Sequence, residues 1–306
     1  MPASRQPSRS PWEDRFTTPT TDPLLDHQYG LDWYRRDDNW RDDVASHFTA
    51  TLDRIAARCE SAGVPLILVL PPSNLADCPP FKSDIDPQLT DPERERVEQE
   101  LSAARERYQS NISAALTHLR QAAELDPGNP AIQYELGQCY EVLHDLGAAR
   151  SCFVRARDLD LCPLRIISPL EDAIRKVALT RQVPLLDAHE LLESQSPGGI
   201  LGEPQLVDHV HPSFDGHRQI GLALAREVRS IGLIESPMDD VWQRESLALM
   251  RQQFESLGPD YLYRGQRTLE AVRGWTEGRA DGPPLPPRGT TGIPPDHTPS
   301  PAEATP

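Results

Sequence analysis

The segment Val207-Asp208-His209-Val210-His211-Pro212-Ser213-Phe214-Asp215-Gly216-His217 puts six ionisable or hydroxyl side chains into eleven positions, the densest such cluster in the chain. Asp208 precedes His211 by three residues. In a turn of that spacing the carboxylate can accept the Nδ1 proton of the imidazole, which fixes the tautomer and leaves Nε2 free to take a proton from a nucleophile. The chemistry implied is general-base catalysis by His211, oriented by Asp208. A metal site is the competing use, because Asp208, His209, His211, Asp215 and His217 offer nitrogen and oxygen donors suited to zinc or manganese. His209 and His211 alternate in what reads as a loop, His217 begins a helix, and no distant cluster completes a shell. No metal and no cofactor is therefore expected.

The elements that must position this cluster follow from hydrophobic spacing. Val44, Phe48, Leu52, Ile55, Ala56 and Cys59 fall at intervals of three and four, one apolar stripe on a helix over residues 44–61 that Gly63 can terminate. Val64 to Leu70 is too short for another helix, is apolar on both faces and stops at Pro71 and Pro72, the pattern of a buried parallel strand. The unit recurs: Leu170, Ala173, Ile174, Val177 and Ala178 form a stripe, and Val183 to Leu186 a short strand reaching Asp187. Helix then buried strand, twice, implies an α/β class. A polar, Gly-rich loop over 194–202 follows, and a last amphipathic helix carries Ile220, Leu224, Val228 and Ile231 inward.

Between the two α/β pieces the period changes. Ala115, Leu119 and Ala122 recur 34 residues later as Ala149, Phe153 and Ala156. Around the second copy, Leu136, Gly137, Tyr140, Ala149, Phe153 and Ala156 match the small and large positions of a tetratricopeptide repeat. Small residues let two antiparallel helices approach, while Tyr140 and Phe153 fill the groove between them. A degenerate half repeat begins near Asp91. With fewer than three repeats the hairpins cannot stand as a free solenoid and should lean on the α/β body.

Composition bounds the rest. The chain has 306 residues, 31 of them proline, and a net charge of −16 from 31 basic and 47 acidic side chains. That balance opposes binding to phosphate backbones and excludes a general nucleic-acid binder. No apolar run approaches the ~20 residues of a membrane span, and the N-terminus lacks the apolar centre of a signal peptide, so a cytoplasmic protein is expected. Five cysteines without a CxxC pair disfavour both a disulfide framework and a zinc knuckle. Residues 1–22 and the Pro-rich 278–306 read as disordered tails. Residues 23–90 and 163–235 form the α/β body, 91–162 a helical insertion and 236–277 two further helices packed on the body.

The DxxHP turn before a C-terminal helix resembles the last sequence block of the GDSL/SGNH hydrolases. Together with the Pro71-Pro72-Ser73-Asn74 to Pro79-Pro80-Phe81 loop and the repeat insertion, it is similar to a bacterial subgroup that joins an SGNH-type domain to tetratricopeptide repeats. The resemblance covers about residues 30–277. It implies a partial SGNH-like (flavodoxin-like) parallel sheet, with Asp208 and His211 as the acid and base of a triad that hydrolyses a small-molecule or carbohydrate acyl ester. The family's nucleophilic serine, in a GDS-like turn, and its oxyanion donors precede the helix over 44–61, where this sequence has no counterpart. The implied enzyme is thus truncated and inactive alone.

Ser73 and Ser168 are the candidate replacement nucleophiles, with turn and cap roles as the alternative. Asn74, Asp77 and Lys82 lie in the loop after the first strand, at the sheet end where α/β sites form, and Asn74 and Arg165 are the candidate substrate contacts. The alternative for Arg165 is pairing with Asp158 or Asp160. The second function class is an interaction scaffold, in which the repeat hairpin binds a protein partner.

Overall fold

A computed structural model describes residues 34–203, 205–235 and 239–258. The chain begins with α1 (Asp38–Ser61), β1 (Leu68–Leu70), α2 (Asp91–Tyr108), α3 (Ile112–Leu125), α4 (Pro130–Val142) and α5 (Leu146–Leu159). It continues through α6 (Ser168–Arg181), β2 (Leu185–Asp187), the short α7 (Ala188–Glu193), a 3₁₀ turn at Pro197–Gly199, α8 (Phe214–Ser230) and α9 (Asp240–Glu255). The expected tails, and a second helix carrying Tyr261, Leu269, Val272 and Trp275, lie outside the described residues.

The α/β class, with its partial SGNH-like (flavodoxin-like) sheet, is overturned: the described residues are mostly helical and hold one sheet of two parallel strands. The reason lies in the residues that flank the apolar runs. Pro65 and Pro184 have no N–H to give a ladder, Pro71 follows β1 at once, and Asp187 is already the N-cap of α7, its side chain accepting from Glu190 N at 2.9 Å. Three paired residues remain in each run. Val64, expected inside a buried strand, is exposed.

The helices divide into two packed groups. Val97, Leu101 and Ala104 of α2, Ala115, Leu119 and Ala122 of α3, and Ile132, Leu136 and Cys139 of α4 share one core. Capping sets where they start: Asn111, Asn129 and Asp145 accept from N–H groups in the first turns of α3, α4 and α5, and Thr90 and Glu93 close a capping box on α2. Gly137 is required by contact, since a Cβ there would lie 2.6 Å from the Phe153 ring. Tyr134, rather than Tyr140 alone, joins Phe153 in the α4/α5 groove, with ring centroids 5.3 Å apart. That hairpin does lean on other chain: Leu75 and Ile200 pack into its core, and Tyr134 Oη donates to Ala76 O at 2.6 Å.

The second group packs Phe48, Leu52 and Ala56 of α1 and Ile174, Val177 and Ala178 of α6 over Leu68 and Leu185 of the sheet. The last two helices depart from expectation. Ile220, Leu224, Val228 and Ile231 are only half-buried, and Val241, Leu247, Met250 and Phe254 of α9, expected to pack on the body, are exposed. Phe214 and Phe254 meet edge to face at 4.7 Å and join the two helices. Among the described residues no helix is long and apolar enough to cross a membrane.

Candidate functional site

The Asp208 turn is built from backbone first. Val207 N donates to His211 O at 2.9 Å, Ser213 N donates to Gln205 O at 2.7 Å, and Ser213 Oγ caps α8 by accepting from Gly216 N at 3.2 Å. Within this frame one carboxylate oxygen of Asp208 accepts from Val210 N at 2.8 Å and His211 N at 2.7 Å. The other lies 2.7 Å from His211 Nδ1. Because an ionised carboxylate only accepts, the Nδ1 proton belongs to the imidazole and Nε2 is left outward. The Asp208 side chain is 6% exposed and that of His211 is 66% exposed. Burial pushes the Asp208 carboxyl up, but the backbone N–H groups of His211 and Val210 and the imidazole outweigh it, and its pKa is lowered.

Behind the turn, Asn74 is a splint. Its buried amide donates to Asp208 O at 3.1 Å, its Oδ1 accepts from Asp77 N at 2.9 Å, and its backbone N–H donates to His209 O at 3.0 Å. His209 faces inward, its ring edge-on to Phe81 at 5.2 Å. Its Nδ1 is 3.8 Å from the Asp208 carboxylate, beyond hydrogen-bond reach. Burial lowers the His209 pKa, and Asp208 only partly opposes this. Of the remaining candidate metal donors, Asp215 is engaged by Arg218 at 2.6 Å and by Gln219 at 2.6 Å. Among the described residues no three His, Cys, Asp or Glu side chains gather as a metal shell.

Neither candidate nucleophile presents its hydroxyl to the Asp208 turn as a free group: Ser73 is buried and Ser168 is engaged by Arg157. Ser73 N donates to His189 Nδ1 at 3.2 Å, while Ser73 Oγ is sealed from solvent without a hydrogen bond. Ser168 Oγ accepts from Arg157 Nη2 at 2.9 Å, and Ser168 N donates to Asp158 at 3.0 Å. Arg165 is buried against the loop that follows β1, donating to Asn74 O at 2.7 Å and to Cys78 O at 2.6 Å, with Asp160 as its ion-pair partner. Lys82 Nζ lies 3.4 Å from Asp84, and Lys82 N donates to Asp160.

Sequence reasoning passed over His189 and Tyr134. The signal for His189 was its spacing of four from Glu193 on α7: its Nε2 lies 3.5 Å from Glu193, whose carboxylate is also gripped at two points by Arg150, each 2.8 Å. Tyr134 sits on the helix face that also opens a cleft of about 390 Å³ between α2 and α4. Ala104, Arg105, Tyr108, Tyr134, Glu135 and Gln138 line it, with Pro79 at its edge, and Arg105 pairs with Glu135 at 2.6 Å.

The α3, α4 and α5 helices pack in sequence, with small residues such as Ala115, Gly137 and Ala149 where they meet. Residues 106–160 match the family model of the tetratricopeptide repeat. No curated protein and no solved structure matches the chain. The match covers the repeat seen at Ala115 and Ala149 and gives no support to a GDSL/SGNH domain.

Proposed function

We propose that this protein is an interaction scaffold whose repeat hairpins hold a segment of a partner protein in the cleft between α2 and α4. The match of residues 106–160 to the tetratricopeptide repeat carries the reading. The cleft supports it: Tyr108 and Tyr134 supply apolar faces, Gln138 supplies donors and acceptors for an extended backbone, and the Arg105–Glu135 pair supplies charge of both signs. The test is selection of peptides from a random display library on the full chain, followed by calorimetry. Selected peptides should lose at least tenfold in affinity to Gln138→Arg, which fills the cleft. Equal binding to that variant contradicts the reading.

A second reading rests on the Asp208–His211 contact at 2.7 Å. In it, Asp208 holds His211 as a base whose Nε2 deprotonates a hydroxyl brought by another chain or by substrate, toward acyl-ester hydrolysis, and Asn74 and Arg165 brace the turn from behind. A serine-directed fluorophosphonate probe separates the versions. Stoichiometric labelling of this chain, lost in His211→Ala, supports a complete esterase site. Absence of labelling with the chain alone leaves a base without a nucleophile, and the scaffold reading stands.

A further inference from the structure

α9 shows apolar side chains to water along its length. Leu247, Leu249, Met250 and Phe254 are exposed, and no residue of α9 is buried. At about 100° per residue, Leu247, Met250 and Phe254 share one face, while Leu249 lies on the other side of the helix. Phe254 meets Phe214, itself 65% exposed, edge to face at 4.7 Å. A helix of 16 residues with no buried face is marginal in water, so its apolar face calls for a cover.

The chain that leaves α9 says where the cover comes from. Ser256 N donates to Gln252 O at 3.0 Å and Leu257 N to Phe254 O at 3.1 Å, which closes the last turn, and Gly258 and Pro259 follow. Proline has no N–H to give the turn behind it and pushes the preceding residue out of helical backbone, so α9 cannot simply run on. At the first turn of a new helix the same Pro259 is favourable, and Asp260 suits the positive end of the helix dipole. Beyond it, Tyr261, Leu262, Leu269, Val272 and Trp275 fall within an arc of about 140° at helical spacing, with Arg264, Arg267, Glu270 and Arg273 outside it. A link as short as residues 256–258 makes two helices antiparallel neighbours.

We propose that residues 259–277 fold back as a helix along α9 and cover Leu247, Met250 and Phe254, completing an antiparallel hairpin beside Phe214. The spacing fits: Leu262 and Leu269 are seven residues apart, as are Phe254 and Leu247, so a turn at Gly258 sets Leu262 beside Phe254 and Leu269 beside Leu247. The tether selects this occupant, because a short linker holds its own segment at an effective concentration of about millimolar, which a second copy or a partner protein must exceed. This apolar face then belongs to the fold and is not a docking surface for another chain. The α2/α4 cleft plays no part in it.

Amide hydrogen exchange on the full chain, with sedimentation at the same concentration, tests the proposal. In a monomer, the amides of 247–254 and of 262–275 should both be slowed at least tenfold relative to an unstructured peptide. Leu269→Lys and Leu247→Lys should each abolish that protection in both stretches, and Leu247→Lys combined with Leu269→Glu should restore it. Leu249→Lys, on the other side of α9, should leave it unchanged, and the amides of α2–α5, read in the same experiment, should not respond to any of these variants. Three outcomes overturn the proposal: either stretch of the parent exchanges as an unstructured peptide does; protection appears only in a dimer, so that a second copy is the cover; or α9 stays protected in Leu269→Lys, so that something else covers it.

Discussion

Arg165 and Asp160 face each other at 3.6 Å with 2% and 1% of their side chains exposed, and between them they hold the loop after β1. The guanidinium takes the carbonyls of Asn74 and Cys78, and the carboxylate accepts from the N–H groups of Phe81, Lys82 and Cys162. Burial raises the Asp160 carboxyl, and Arg165 with those three N–H groups holds the rise back. Arg165→Met would leave a buried carboxylate without its cation, and a loss of about 3–5 kcal/mol is expected in urea unfolding. Arg165→Lys should recover only part, because one ammonium cannot span the same carbonyls. A loss under about 1 kcal/mol for Arg165→Met would contradict this account.

Acid should weaken the α5/α7 contact. Glu193 is pushed up by burial, but His189 and Arg150 outweigh that and bring it down from 4.5 to about 2. A depressed carboxylate contributes stability that is present above the unfolded pKa and lost as pH falls through the folded one, here between about 4.5 and 2. Because Arg150 is partly exposed, the contribution is discounted to about 2 kcal/mol. Unfolding of Glu193→Gln should show a flatter dependence on pH across that window than the parent, and equal slopes would refute the assignment.

Gly137→Ala tests which of two effects wins in the repeat. In a free helix the change gains about 1 kcal/mol of propensity. Here the new Cβ meets the Phe153 ring at 2.6 Å, and overpacking costs about 1–3 kcal/mol. Net destabilisation is expected, relieved when Phe153→Leu is present as well. A more stable Gly137→Ala variant would show that the ring can move aside.

Thiol reactivity should follow burial. Cys78 and Cys139 are pushed up to about 11, and Cys162 to about 12, in each case first by burial. At pH 8 iodoacetamide should modify Cys59 and leave these three intact until denaturant is added, as read by peptide mass spectrometry. Rapid native labelling of Cys78 or Cys162 would mean that the loop around Arg165 opens.

Ser73→Ala removes a buried hydroxyl that has no hydrogen-bond partner. Stability should be unchanged or higher by up to about 1 kcal/mol. A marked loss would show that the hydroxyl has an unrecognised structural partner.

What could be read from the residues was what short-range geometry decides. Asp208 and His211 are three apart in one turn, so their contact needs little more than local backbone, and the small and large residues Gly137, Tyr140, Ala149 and Phe153 already encode two helices that pack closely, α4 and α5. The role of Arg165 was only half legible: pairing with Asp158 or Asp160 was visible from proximity, whereas the carbonyls of Asn74 and Cys78, about ninety residues away, were not.

By itself the sequence determined the helical repeat and the Asp208–His211 turn, because each depends on residues within one or two helical turns of one another. Only the tertiary structure decided the size of the sheet, the burial of Ser73 and Asn74, and the exposure of α9. An apolar stripe states that a face prefers to leave water, but not which surface covers it, and for Val64 to Leu70 the prolines at 65 and 71 left three residues to pair where a run of seven had suggested a full strand.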